Sequence, residues 1–353
     1  MTKTNPGNYF EDFWLGQEIR HATPRTVSNG DVALYQALYG GRFALASSAE
    51  FARKQGYAQA PLDDLLIFHI VFGKTVPDIS LNAVANLGYA EGRFGVPVYP
   101  GDTLSATSKV IGLKENSSRQ TGVVYVRSTG VNQRGEVVVD YIRWVMVRKR
   151  DPEALVSEET VPATMSKLAS ESLHLPPRVA ASAYDWGVAG SPHAWDDYDV
   201  GESIDHVDGI TIEEAEHMMA TRLYQNSARV HFNQHSEGQG RFGRRLVYGG
   251  HIISLARSLS FNGLANAGKL LAINGGRHVA PCFAGDTIYA WTKIEEKSPI
   301  PRRDDVGALR LRTFAVKNQP CTDFPGKTPG GEDYDPAVVL DFDYTVLVPR
   351  RQR

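Results

Sequence analysis

Two kinds of hydrophobic rhythm run through this chain, and each occurs in both of its halves. Across Leu62–Lys74 and again across Gly250–Phe261, apolar residues recur at helical spacing or run almost unbroken, which predicts one long buried helix in each half. Alternation of apolar and polar positions over Thr103–Ile111, Thr121–Thr129 and Glu136–Arg148 predicts antiparallel strands, and Thr287–Ile294, Gly307–Val316 and Val338–Val348 repeat it. Shorter helices are predicted at Ser28–Leu38 and Thr211–Leu223, the second opened by Thr211 and Glu214 at capping-box spacing. An antiparallel sheet wrapped around one long helix in each half is an α+β arrangement.

Three ordered motif matches make the halves an internal repeat. Glu11–Gly16 matches Asp196–Gly201 at an offset of 185, and Gly92-Arg93 with Gly101–Leu104 matches Gly276-Arg277 with Gly285–Ile288 at 184. Val145–Arg150 matches Val346–Arg351 at 201, so extra loop enters late in the second half, where Pro299–Arg303 and Cys321–Pro336 are rich in turn residues. Residues 151–180, rich in Pro, Ser, Ala and Glu, are expected to link a domain at 1–150 to one at 181–353.

Composition narrows the picture. With 353 residues, 42% hydrophobic and a net charge of -2, the chain has room for two domains and offers no reason to bind nucleic acid. No apolar run approaches membrane-spanning length and the N-terminus lacks a signal pattern, so no membrane partner and a cytoplasmic location are expected. Two cysteines, Cys282 and Cys321, provide no disulfide framework and suit a reducing compartment.

Candidate chemistry gathers between Tyr224 and Leu259. Asn226 and His231 stand five apart, and Gly249-Gly250 opens the second apolar helix. A glycine pair there lets the backbone approach a ligand, and its free N–H groups favour developing negative charge. An imidazole and an N–H trap for an oxyanion suit proton chemistry beside a thioester carbonyl. At the repeat offset, Gly41 and Ala46 stand where the second half has Asn226 and His231, so only the second half is expected to be catalytic. His231 and His235 are spaced like zinc ligands, with His251 beyond, but the glutamate of that motif is missing, so no metal and no cofactor are expected. A hydratase, a thioesterase and a non-catalytic acyl-CoA-binding protein all remain compatible with these residues.

The second half resembles the MaoC-like, (R)-specific enoyl-CoA hydratase family. That family's Asp-then-His pair corresponds to Asn226 and His231, and its Ile-Val-His-Gly-Met turn to Leu246–Gly249. The whole chain is similar to the mesaconyl-CoA hydratase (β-methylmalyl-CoA dehydratase) branch, through Asn5–Asn8, Val71–Asn82, Tyr141–Pro152, Thr221–Asn226 and Val230–Asn233. The resemblance implies a tandem (double) hotdog and reversible hydration of mesaconyl-CoA to β-methylmalyl-CoA. His231 is then the general acid/base, Gly249 N–H the oxyanion donor, and Asn226 a non-ionising holder of water or thioester. Gly250 is expected to bind substrate or to serve close packing. A dicarboxylic substrate keeps one free carboxylate, which calls for arginine, and Arg244, Arg245 and Arg257 lie near the turn in sequence. Two such halves satisfy each other's faces within one chain, so a homodimer is allowed but not required.

Overall fold

The computed structural model describes residues 3–155, 158–176, 184–328, 330 and 333–351. Parts of the expected linker (156–157 and 177–180), the first residues of the expected second domain (181–183) and 329, 331 and 332 within the Cys321–Pro336 stretch lie outside the described residues.

Eleven strands among the described residues build one sheet. The first half contributes β1 (Glu18–Thr26), β2 (Ala83–Phe94), β3 (Thr103–Glu115), β4 (Thr121–Val131) and β5 (Val137–Arg148). The second contributes β6 (Ser203–Asp205), β7 (Ile210–Thr211), β8 (Lys269–His278), β9 (Thr287–Pro299), β10 (Val306–Lys317) and β11 (Val338–Pro349). Their order is β1-β3-β4-β5-β2-β8-β11-β10-β9-β6, with β7 beside β9. The six alternating runs are β3, β4, β5, β9, β10 and β11.

Both apolar runs are helices. Every residue of Asp64–Thr75 is buried, as an apolar surface on all sides requires, and Asp63 caps its start by accepting the Leu65 N–H at 2.8 Å. Its counterpart, Gly249–Leu259, buries nine of its eleven residues. The two helices share one apolar core and are joined by polar contacts inside it, where Ser254 Oγ meets both Tyr35 and His69 at 3.0 Å. Buried hydroxyls and rings of this kind hold position only if paired, so the network fixes how the helices sit against each other.

The halves meet where β2 pairs β8, with Tyr89 opposite Gly276 and Gly92 opposite Ile273. Alternation does not announce either strand, because glycines stand where neighbours press on the backbone. A Cβ at Gly92 would overlap Ile273, one at Gly276 the Tyr89 ring, and one at Gly88 the Trp144 ring.

Each repeated motif makes the same contacts twice. The turn Phe10–Asp12 lays Phe10 under Gly122 of β4, and the turn Trp195–Asp197 lays Trp195 under Gly307 of β10. Asp102 accepts the Tyr99 N–H and Asp286 the Phe283 N–H, both at 2.9 Å. Arg150 pairs with Asp12 at 2.9 Å and Arg351 with Asp197 at 2.6 Å. The expected capping box does not form. Thr211 lies on β7 against Thr287, and the helix begins at Glu214, whose carboxylate is taken by His217 and Arg245. No helix among the described residues is long and apolar enough to cross a membrane.

Candidate active site

A cavity of about 620 Å³ lies between the halves. The second half lines it with Asn226, His231, Tyr248, Gly249 and His278, and the first with Phe72, Ser80, Tyr89 and Arg143. Asn226, His231 and Gly249, separated by up to 23 positions in sequence, are thus brought to one space.

His231 belongs to a four-residue helix, Arg229–Phe232, clamped from two sides to the segment that leads into the glycine turn. Leu246 N–H donates to Val230 O at 2.9 Å, and His231 Nδ1 meets Leu246 O at 2.8 Å. A carbonyl can only accept, so Nδ1 carries the proton and Nε2 keeps its lone pair. Protein surrounds the ring, yet part of its surface stays open to the cavity. Burial holds its pKa down at about 4, opposed by the Leu246 hydrogen bond, with His217 pushing it lower again. The result is a neutral imidazole, held in one tautomer, with a free basic nitrogen.

Gly249 begins the second central helix, so its N–H has no partner within the helix. A Cβ there would overlap the His278 ring, and one at Gly250 would overlap the rings of Tyr248 and His69. Close packing therefore demands both glycines. Only Gly249 lines the cavity; Gly250 is buried behind it. His278, at the end of β8, was not singled out from the sequence. Its Nε2 meets Tyr89 OH at 3.1 Å, and burial lowers its pKa to about 4, with His231 adding to the shift. The signal was available: at the repeat offset of 184, His278 stands where the first half has Phe94.

Asn226 is buried, and its Oδ1 accepts the Ala228 N–H at 3.1 Å, a turn-forming role. The amide nitrogen is the end left to serve a ligand. The three expected arginines lie elsewhere. Arg245 is ion-paired with Glu214, Arg244 lies over the Phe283 ring at 4.0 Å, and Arg257 is buried over Phe43 at 3.9 Å. None of them lines the cavity, and the segment Arg244–Tyr248 belongs to no strand. Among the described residues, the arginines that do line it are the buried Arg143 and the exposed Arg148, Arg229 and Arg241, against one carboxylate, Glu237.

The corresponding place in the first half is nearly closed. A space of about 20 Å³ touches Gly41, Ala46, Phe43 and Asp63. Phe43 and the guanidinium of Arg257 fill the region, and burial raises the Asp63 carboxyl to about 6.

Buried imidazoles give the fold a definite response to acid. Burial lowers His69, His206, His231, His251 and His278 to about 3, 4, 4, 3 and 4, from an ordinary 6.5. Between those values and 6.5 the unfolded chain binds protons that the fold refuses, so this stabilisation is complete above pH 6.5 and lost as pH falls through the window. Asp63 acts in the opposite sense, favouring the fold less as pH rises towards its raised value. Five groups outweigh one: Tm is expected to fall much more steeply between about pH 6.5 and 5 than between about pH 8 and 7. Equal slopes in the two ranges would show that these rings are not held neutral.

The model of the family described as mesaconyl-CoA hydratase matches residues 1–328. The chain is 68% identical over 349 residues to a beta-methylmalyl-CoA dehydratase of Chloroflexus aurantiacus, covering 99% of each. A solved structure from that organism, described as a MaoC domain protein dehydratase, matches with a TM-score of 0.98 at 68% identity over all of both chains. A protein of Mycobacterium tuberculosis described as having a double hotdog fold matches at 26% identity with a TM-score of 0.72, over 97% of this chain and 98% of its own. The α+β fold is thus a double hotdog, as the resemblance implied.

Proposed function

The chain belongs to the mesaconyl-CoA hydratase family and is a hydro-lyase, and from that premise we propose that it hydrates mesaconyl-CoA reversibly to β-methylmalyl-CoA, with His231 as the acid/base. The observation that carries this reading is the shared cavity of His231 and the Gly249 helix start, at whose matching positions the first half has Ala46 and Asp64.

Hydration proceeds from a water held between Asn226 amide nitrogen and His231 Nε2. Nε2 takes a proton as the oxygen bonds to the β-carbon, and electron density moves through the α-carbon onto the thioester oxygen. Gly249 N–H stabilises that oxygen, and the proton on His231 then reaches the α-carbon, so no proton is gained or lost overall. In dehydration the same nitrogen removes the α-proton. Asn226 in place of a carboxylate avoids a second anion beside a substrate that already carries one. An anionic ligand raises His231 from its depressed value towards neutrality, where an acid/base group works best. The exposed Arg148, Arg229 and Arg241 at the cavity suit the phosphates of the CoA moiety.

One assay tests the reading. With mesaconyl-CoA, loss of the enoyl-thioester absorbance without release of free CoA is expected. Release of free CoA would make the protein a thioesterase, and no change in either would make it a binding protein.

A further inference from the structure

Arg143 on β5 is fully buried, and no carboxylate among the described residues pairs with it. Its Nη2 donates to Thr75 Oγ1 at 2.8 Å and to Ser80 Oγ at 3.3 Å, and its Nη1 to Asn86 Oδ1 at 3.5 Å. Its Nε has no partner, and the guanidinium lies over the Phe72 ring at 4.3 Å. Other arginines of the same sheet are treated differently. Arg127 is met by Asp140, Arg310 by Asp343 and Arg312 by Asp341, each at 2.6 Å. A buried charge without a counterion is costly, and a fold that supplies carboxylates to three other arginines of the sheet leaves this one unmatched.

Among the described residues, Arg143 is also the one buried arginine that lines the large cavity, alongside His231 and Gly249. At the repeat offset of 201 its place in the second half is taken by Tyr344, whose hydroxyl is bonded to Thr313 at 3.0 Å. The arginine is therefore another feature that the repeat does not share, and it sits on the wall of the site that is kept.

The substrate's chemistry supplies the missing anion. An enoyl thioester made from one end of a methyl-branched butenedioic acid carries its second carboxylate on the β-carbon, the atom that receives water. The group that reads this carboxylate must lie in the same cavity as the acid/base. We propose that Arg143 is that group: the first half supplies a buried guanidinium that selects dicarboxylic over neutral enoyl thioesters. The inference rests on the hydratase reading above. None of the Arg143 surface is exposed to water, so the carboxylate reaches it by taking the place of Ser80 and Asn86 as acceptors of its two long hydrogen bonds. The exposed arginines are weaker candidates, because solvent screens them and selectivity needs a desolvated pair.

The test compares kcat/KM for mesaconyl-CoA and crotonyl-CoA in the parent, Arg143→Met and Arg143→Lys. The ratio of the two is expected to fall by about 100-fold or more in Arg143→Met, the usual scale for removing one member of a buried charge pair. Arg143→Lys keeps the charge but not the fork, and its ratio is expected to fall less, by roughly tenfold. If Arg143→Met fails to fold, the lysine variant decides, and an unchanged ratio there overturns the proposal. So does a loss of both substrates in equal proportion, which would make Arg143 a structural residue. A parent that prefers crotonyl-CoA would refute the functional reading and this inference together. A parent that prefers mesaconyl-CoA, with variants that keep the preference, refutes the inference alone.

Discussion

Replacing His231 by Gln is expected to slow hydration of mesaconyl-CoA by ~10²–10⁴-fold, the range that general acid–base catalysis contributes. Glutamine is the informative choice because its amide can still donate to Leu246 O, the contact that orients the native ring. It leaves the clamp between the two segments in place and removes the one atom able to accept a proton. Tm should therefore change little while kcat falls, and the fall should persist at saturating substrate. The mirror substitution, Ala46→His, should bring no second active centre into being, since that position faces a space of about 20 Å³. Turnover of His231→Gln within about tenfold of the parent would place the proton transfer on another group, with His278 next in line.

A methyl group at Gly249 should cost about 10²–10³-fold in kcat, comparable to removing one oxyanion donor. The added Cβ would overlap the His278 ring, so either the ring or the helix start must move. Either movement displaces the N–H that the mechanism aims at the thioester oxygen. Core overpacking of this kind typically costs ~1–3 kcal/mol of stability, so Tm should fall as well. The discriminating quantity is the balance of the two. A lower Tm with kcat within about threefold would make Gly249 a packing residue only, and the oxyanion donor would have to be sought elsewhere.

The repeat in the sequence led a long way into the structure. Six alternating runs became strands and two apolar runs became the central helices, because burial on one face or on all faces leaves a periodic record. The two strands that join the halves left no such record, since Gly88, Gly92 and Gly276 were chosen for close approach and not for a pattern. Within the site, comparing the halves position by position brought out Asn226, His231 and Gly249, which do share a cavity. The same comparison at Phe94 and His278 would have added a second imidazole. Nearness in sequence was the weaker guide. It favoured Arg244, Arg245 and Arg257, whereas the cavity's buried cation, Arg143, lies more than eighty positions before His231. Neighbours of that kind are created by tertiary packing of two distant segments, and no local pattern encodes them.

The seam between β2 and β8 also governs what dilution does to this enzyme. The cavity takes His231 from one half and part of its wall, including Arg143, from the other. If those halves were separate molecules, the centre would come apart as the protein was diluted. Here one polypeptide carries both, so each meets the other at an effective concentration on the order of millimolar, whatever the amount of enzyme present. Joining the halves makes assembly of the centre a first-order process, and specific activity need not depend on how much protein a cell makes.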